Sequence, residues 1–144
     1  YPKDPGSWLV DDEYLFGSDM LVAPLMENVT ERNVYLPPGG WIDYQTGKYY
    51  EGGWHSIKAG EVPVVVLVRD GAVIPHIKLA QSTMDMDWSS LNLQVYSHTA
   101  GSATGLICLP SDNILQPVKL TKRGSSFKLD TDPYNGKIKY KISN

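Results

Sequence analysis

Seven carboxylic side chains, Asp11, Asp12, Glu13, Asp19, Asp43, Asp85 and Asp87, are candidates by type for proton transfer or nucleophilic attack. None has a sequence context that lifts it above a turn former, a cap or a surface charge. The three histidines, His55, His76 and His98, lie far apart, and none has a second ligand at metal spacing. Cys108 is the only cysteine, which rules out an intrachain disulfide and an all-cysteine metal site. Its apolar setting, Leu106-Ile107-Cys108-Leu109, reads as that of a small buried hydrophobe. Gly101-Ser102-Ala103-Thr104-Gly105 superficially suggests a nucleophile elbow, but the serine sits one place early and no helix follows. No glycine-rich loop has phosphate-binding form. These residues by themselves mark out no catalytic centre and no metal site.

The elements that would position such residues are strands. Val34-Tyr35-Leu36 ends one strand before Pro37-Pro38-Gly39-Gly40 breaks the pattern, since proline fixes φ and lacks an N–H while glycine permits φ > 0. Trp41 to Tyr44 resumes, Gln45-Thr46-Gly47 turns, and Lys48-Tyr49-Tyr50 returns to Gly52-Gly53, a β-hairpin. Met20 to Leu25, Val64 to Arg69 and the alternating Leu91 to Val95 read as further strands. So do Leu106 to Leu109, Gln116 to Thr121, Ser126 to Leu129 and Lys137 to Ile142. Asp70-Gly71 is a sharp turn signal, from which Ala72 to Ile74 returns. Tyr1 to Trp8 reads as an extended lead-in, Asp11 to Phe16 as a short helical turn closed by Gly17, and Thr99 to Gly105 as a loop. Short strands at regular spacing predict an all-β fold of antiparallel sandwich type. The polar break from Thr83 to Ser90 suggests a boundary, giving a proximal β-sandwich module over 1–83 and part of a distal β module over 84–144.

Composition narrows the class. With 144 residues, 42% hydrophobic content and a formal net charge of −3, the chain is neither disordered nor a nucleic-acid binder by charge. Lys119, Lys122, Arg123 and Lys128 cluster, but Asp130 and Asp132 follow at once, as on a solvated strand face. No apolar segment approaches bilayer length, so no membrane partner is expected. Asn28-Val29-Thr30 fits a glycosylation sequon, a triplet that arises often by chance. Tyr1 to Pro5 shows no signal-peptide pattern, which carries little weight if the chain is a fragment. The compartment stays open between bacterial cytoplasm and periplasm for a soluble protein.

Three motifs in order carry a family resemblance. Tyr14-Leu15-Phe16-Gly17-Ser18-Asp19-Met20-Leu21-Val22-Ala23-Pro24, then Pro37-Pro38-Gly39-Gly40-Trp41-Ile42-Asp43 with Thr46-Gly47 and Gly52-Gly53, then Val68-Arg69-Asp70-Gly71-Ala72-Val73-Ile74-Pro75, resemble the region just after the catalytic barrel of glycoside hydrolase family 31. That family comprises α-glucosidases and α-xylosidases. The second half matches loosely, through Leu91 to Tyr96, and Pro63 to Arg69 is longer than the family's usual spacing.

The resemblance implies retaining hydrolysis of an α-linked glucoside or xyloside by a parent enzyme, without cofactor. Its two catalytic aspartates would lie in the barrel, and no position here corresponds to either. The chain would then be a non-catalytic support of that barrel, and the barrel its partner. The apolar lead-in, with Trp8, Leu9, Tyr14 and Phe16, is the expected surface for the barrel or for self-association. Trp41, Tyr44, Tyr49, Tyr50 and Trp54 could stack on pyranose rings, although aromatic residues more often fill a core or an interface. An independent carbohydrate-binding module and a β-sandwich scaffold or adhesion domain are the alternatives.

Overall fold

The computed structural model describes all 144 residues, Tyr1–Asn144, and is almost entirely strand. In chain order the strands are β1 (Tyr14–Phe16), β2 (Met20–Pro24), β3 (Glu31–Asp43), β4 (Tyr49–Lys58), β5 (Val64–Arg69), β6 (Ala72–His76), β7 (Ser90–Tyr96), β8 (Ser102–Cys108), β9 (Leu115–Arg123), β10 (Ser126–Leu129) and β11 (Lys139–Ser143). Two 3-10 turns, Pro5–Leu9 and Thr83–Asp85, are the only helical pieces. The chain forms two compact units, Tyr1–Asp70 and Gly71–Asn144.

The first unit is a five-stranded antiparallel sheet in the order β1-β2-β5-β3-β4. The two strands expected either side of the Pro-Pro-Gly-Gly break are one long strand, β3, with a bulge. Its register against β4 passes from Leu36 opposite Gly53 to Gly40 opposite Glu51, so Pro37, Pro38 and Gly39 face Gly52 alone. Two extra residues bend the strand. Beyond the bend Trp41, Ile42 and Asp43 pair with β5 as well as β4. Residues from both halves of β3 (Val34, Leu36 and Trp41) therefore share one core with Leu21, Ala23, Ile57, Val65 and Leu67. The bent sheet folds over this shared core in a sandwich-like manner, with β1 and β4 as its edges.

The second unit is a six-stranded sheet, β10-β9-β8-β6-β7-β11. Most of its pairings are antiparallel, but β6 runs parallel to β8 and β7 parallel to β11. The alternation in β7 is realised: Leu91, Leu93 and Val95 point into a core with Val73, Ala103, Ile107, Val118, Leu120 and Phe127.

Several expectations need correction. Tyr14 to Phe16 is an edge strand, not a helical turn. Three residues cannot meet the cost of helix nucleation, whereas Gly17 at φ 70° closes a short turn onto β2 and supplies ladder hydrogen bonds. The lead-in is not wholly extended: Pro5 begins a 3-10 turn capped by Asp4, whose Oδ1 accepts from Gly6 N at 3.1 Å. Ser102 to Gly105 belongs to β8, because Ala103 and Gly105 are small enough to face inward. Cys108 is exposed at the end of that strand, where the same alternation turns it outward. Ala72 to Ile74 does not return alongside Val64 to Arg69. Asp70 N donates to Gly40 O in the first sheet while Gly71 N donates to Tyr96 O in the second, so this turn passes the chain between sheets. The units accordingly divide at Asp70 and Gly71, and the polar break near Thr83 lies between β6 and β7 of the second sheet.

Candidate functional site

The lead-in from Tyr1 to Phe16 is held down by polar contacts and leaves its large apolar side chains outside. Asp4 caps the 3-10 turn and accepts from Tyr35 Oη at 2.8 Å and 2.9 Å through its two oxygens. Gly6 lies directly on the Tyr35 ring, where an added Cβ would come within 2.2 Å of a ring carbon. Asp12 pairs with Arg32, which also donates to the carbonyl oxygens of Asp12 and Pro24. Tyr1 Oη and Arg69 form a further hydrogen bond. Thus anchored, Trp8 is 68% exposed, Leu9 78%, Tyr14 55% and Phe16 67%, with Leu15 exposed between the last two. Such side chains at a stretch pinned to its own sheet form an apolar surface facing water.

Beside this stretch Tyr1, Ser7, Val10, Glu13, Tyr14, Leu15, Leu21, Tyr35 and Pro37 line an open pocket of about 150 Å³. Glu13 is its only carboxyl, and accepts from Tyr35 N at 3.3 Å. Burial pushes its pKa up from 4.5 to about 7, against the opposing pull of the Tyr35 N–H and of Arg32. Sequence reading placed Glu13 among the candidate acids without distinguishing it. The exceptional setting arises because residues twenty-two positions later supply the wall.

The aromatic hairpin divides into separate environments. Trp41 is fully buried; its Nε1 donates to Pro37 O at 2.8 Å and the Arg69 guanidinium lies 4.5 Å from its ring centre. It fills the core and offers no face to a ligand. Tyr49 and Tyr50 are half-buried, with Tyr49 Oη donating to Glu51 at 2.6 Å and Tyr50 meeting His55 edge-on. Tyr44 is marginally exposed, and Trp54 is 55% exposed beside Tyr35. The five residues do not make one flat row.

Of the remaining acids Asp11 is simply exposed, and the others serve local geometry. Asp43 is buried and accepts from Gln45 N at 2.9 Å and Thr46 N at 2.8 Å, closing the turn after β3. Asp19, Asp85 and Asp87 accept from Ser18, Ser82 and Ser89. No group of three or more His, Cys, Asp or Glu side chains is placed to hold a metal ion, and no helix is long and apolar enough to cross a membrane. The Arg69 stack on Trp41 escaped sequence reading. Its signal, a motif arginine at a strand end, names no partner.

The fold and the motifs together define an all-β C-terminal domain of a glycoside hydrolase. The family profile described as "Glycosyl hydrolase family 31 C-terminal domain" matches residues 1–74. The chain belongs to glycoside hydrolase family 31. It is 35% identical over 106 residues to α-glucosidase 2 of Bacillus thermoamyloliquefaciens, covering 72% of this chain and 13% of that protein. An α-xylosidase of Saccharolobus solfataricus is 33% identical over 67% of this chain and 14% of its own length. The solved family-31 α-xylosidase of Xanthomonas citri superposes with a TM-score of 0.64 at 30% identity, over 87% of this chain and 14% of that one. A Flavobacterium johnsoniae family-31 dextranase shares the fold at TM-score 0.74 and 21% identity, over 90% of this chain and 18% of that one. The chain thus spans under a fifth of the length of each of these relatives.

Proposed function

We propose that this chain is the non-catalytic C-terminal part of a retaining α-glycosidase and that it supports the catalytic barrel. The single observation that carries the reading is the exposed run Trp8, Leu9, Tyr14, Leu15 and Phe16, fixed in place by Asp4, Asp12, Tyr35 and Arg32. Covering a side chain of this size contributes about 1.5–3 kcal/mol, so several together favour a permanent partner surface. The remainder of a family-31 parent, whose relatives far exceed this chain in length, is that partner. Asp4, Asp12, Asp19, Asp43, Asp85 and Asp87 act as caps, local hydrogen-bond acceptors and an ion-pair member, and Glu13 has no second carboxyl in its pocket, so both reacting carboxyls are assigned to the barrel. The parent substrate is an α-linked glucoside or xyloside, following the activities named for the relatives.

The test uses the parent enzyme with Trp8→Ser and Phe16→Gln together. Expected is a fall in melting temperature of several degrees, with KM for an aryl α-glycoside little changed below the transition. An unchanged melting temperature overturns the support role. In parallel the isolated chain should show no turnover of aryl α-glucosides or α-xylosides. Turnover that vanishes on Asp43→Asn or Asp85→Asn overturns the non-catalytic reading.

A further inference from the structure

The outer face of the β3–β4 hairpin differs in make-up from the lead-in. Along it the cross-strand pairs are Glu31 with Lys58, Asn33 with Ser56, and Tyr35 with Trp54, while Val34, Leu36 and Ile57 point to the core. A single large exposed aromatic, Trp54, therefore stands in a polar surround. It leans on Tyr35 with ring centres 5.3 Å apart and planes tilted by 53°. Tyr35 is itself fixed, its hydroxyl held by Asp4 and its ring covered by Gly6. The indole platform has a rigid backing.

Next to it the β3 bulge opens a groove of about 370 Å³ lined by Tyr35, Leu36, Pro38, Gly39, Glu51, Gly52 and Gly53. Its glycines have structural reasons. Gly39 and Gly53 both hold φ 122°, and a Cβ at Gly52 would sit 2.9 Å from Pro37 O and Pro38 Cα. A Cβ at Gly39 or Gly53 would meet nothing within 4 Å, so the floor there is backbone open to solvent. Glu51 lines the groove as an exposed carboxylate, with Oε1 accepting from Tyr49 and Oε2 available to hydroxyl donors.

We propose that Trp54 and this glycine-floored groove form a saccharide subsite for an α-glucan. The apolar face of a pyranose ring would rest on Trp54, and its hydroxyls would reach Glu51 and the strand backbone around the bulge. A protein partner fits this face poorly, because interface hot spots gather large apolar groups at a dry centre, as the lead-in does and this face does not. A saccharide needs the reverse, one flat ring amid hydrogen-bonding groups. The choice of α-linked glucose rests on the proposed parentage; the stacking geometry does not.

The experiment is titration of the full 144-residue chain with a maltooligosaccharide, an isomaltooligosaccharide and a cello-oligosaccharide, followed by calorimetry and tryptophan fluorescence. Expected are binding of one or both α-linked probes at millimolar concentration, and a loss of about tenfold or more on Trp54→Ala, from the stacking contribution of one aromatic ring. Trp54→Phe, which keeps an aromatic face, should retain binding within a few-fold. Glu51→Gln should weaken it, and Trp8→Ser should leave it unchanged. Circular dichroism of each variant reports folding. No binding of either α-linked probe, equal binding by the Trp54→Ala variant, or a preference for the β-linked probe overturns the proposal. So does a change in sedimentation on Trp54→Ala without a change in glycan binding, which assigns the face to protein contact. Barrel support is read from the melting temperature of the parent enzyme and stands or falls separately.

Discussion

Glu13 shows how far a side chain's chemistry can depart from its type. In the chain order Asp11-Asp12-Glu13 it reads as one of three surface acids; in the fold it lines a small open pocket and its pKa rises to about 7. The folded chain therefore holds this proton more tightly than the unfolded chain does. The contribution to stability is fully present below about 4.5, declines as pH rises, and is lost above about 7. Glu13 is only partly buried, so solvent screening reduces the effect to on the order of 1 kcal/mol. Glu13→Gln should accordingly flatten the pH dependence of urea unfolding between 4.5 and 7. At pH 8 it should leave the variant the more stable of the two. A variant whose unfolding midpoint follows the native curve at every pH would show that burial of Glu13 is not felt. Trp41 is the second residue whose role the fold decides. Its removal leaves a void in the core and the Arg69 guanidinium without its ring, so Trp41→Ala should cost about 3–5 kcal/mol by the same unfolding measurement.

Among the elements, the close approach of β6 and β8 makes the sharpest prediction. Their pairing is a single register position, Ala72 with Thr104, and it holds because Gly105 presents no side chain to its neighbour. A Cβ there would lie 2.3 Å from Val73 O, a backbone atom in a ladder that cannot yield cheaply. Gly105→Ala should destabilise the second unit by about 1–3 kcal/mol, as overpacking does. Hydrogen exchange should show the loss concentrated in β6 and β8; uniform protection equal to that of the native chain would refute the packing argument. The β3 bulge is the corresponding device in the first unit. Two prolines without N–H groups and Gly39 at positive φ let three residues pass opposite one, which brings Trp41 back under the same core as Leu36.

For the whole molecule, the exposed lead-in predicts behaviour in solution. Separated from a barrel, a surface carrying Trp8, Leu9, Tyr14 and Phe16 is covered most simply by a second copy of itself. Sedimentation of the isolated chain should show dimers or larger species at high concentration. Replacing Trp8 with Gln and Phe16 with Ser should shift the population to monomer without unfolding it, since neither side chain belongs to either core. A native chain that remains monomeric at every concentration would show that the surface tolerates water.

What the sequence by itself determined was the material of the fold. Alternation in Leu91 to Val95, β-branched residues in Val64 to Val68 and turn formers at Thr46-Gly47 made strands the outcome wherever local preference and burial agreed. The ordered motifs around Asp19, Trp41 and Arg69 were equally legible, because a family pattern is written in residue identity and spacing. Tertiary structure decided the rest. Whether Tyr14 to Phe16 became helix or strand depended on β2 offering an edge. The placement of Ala72 to His76 in the second sheet depended on β7 and β8, which come later in the chain. The division of the aromatic hairpin, with Trp41 inside and Trp54 outside, followed from a bulge whose register no single strand specifies. Partial burial of Glu13 likewise required Tyr35 and Pro37 to stand beside it. In all but the first case, where β2 follows at once, the deciding partner is distant in sequence. Periodicity reports which residues can face a core; only the assembled sheets settle which core they face and what they leave in water.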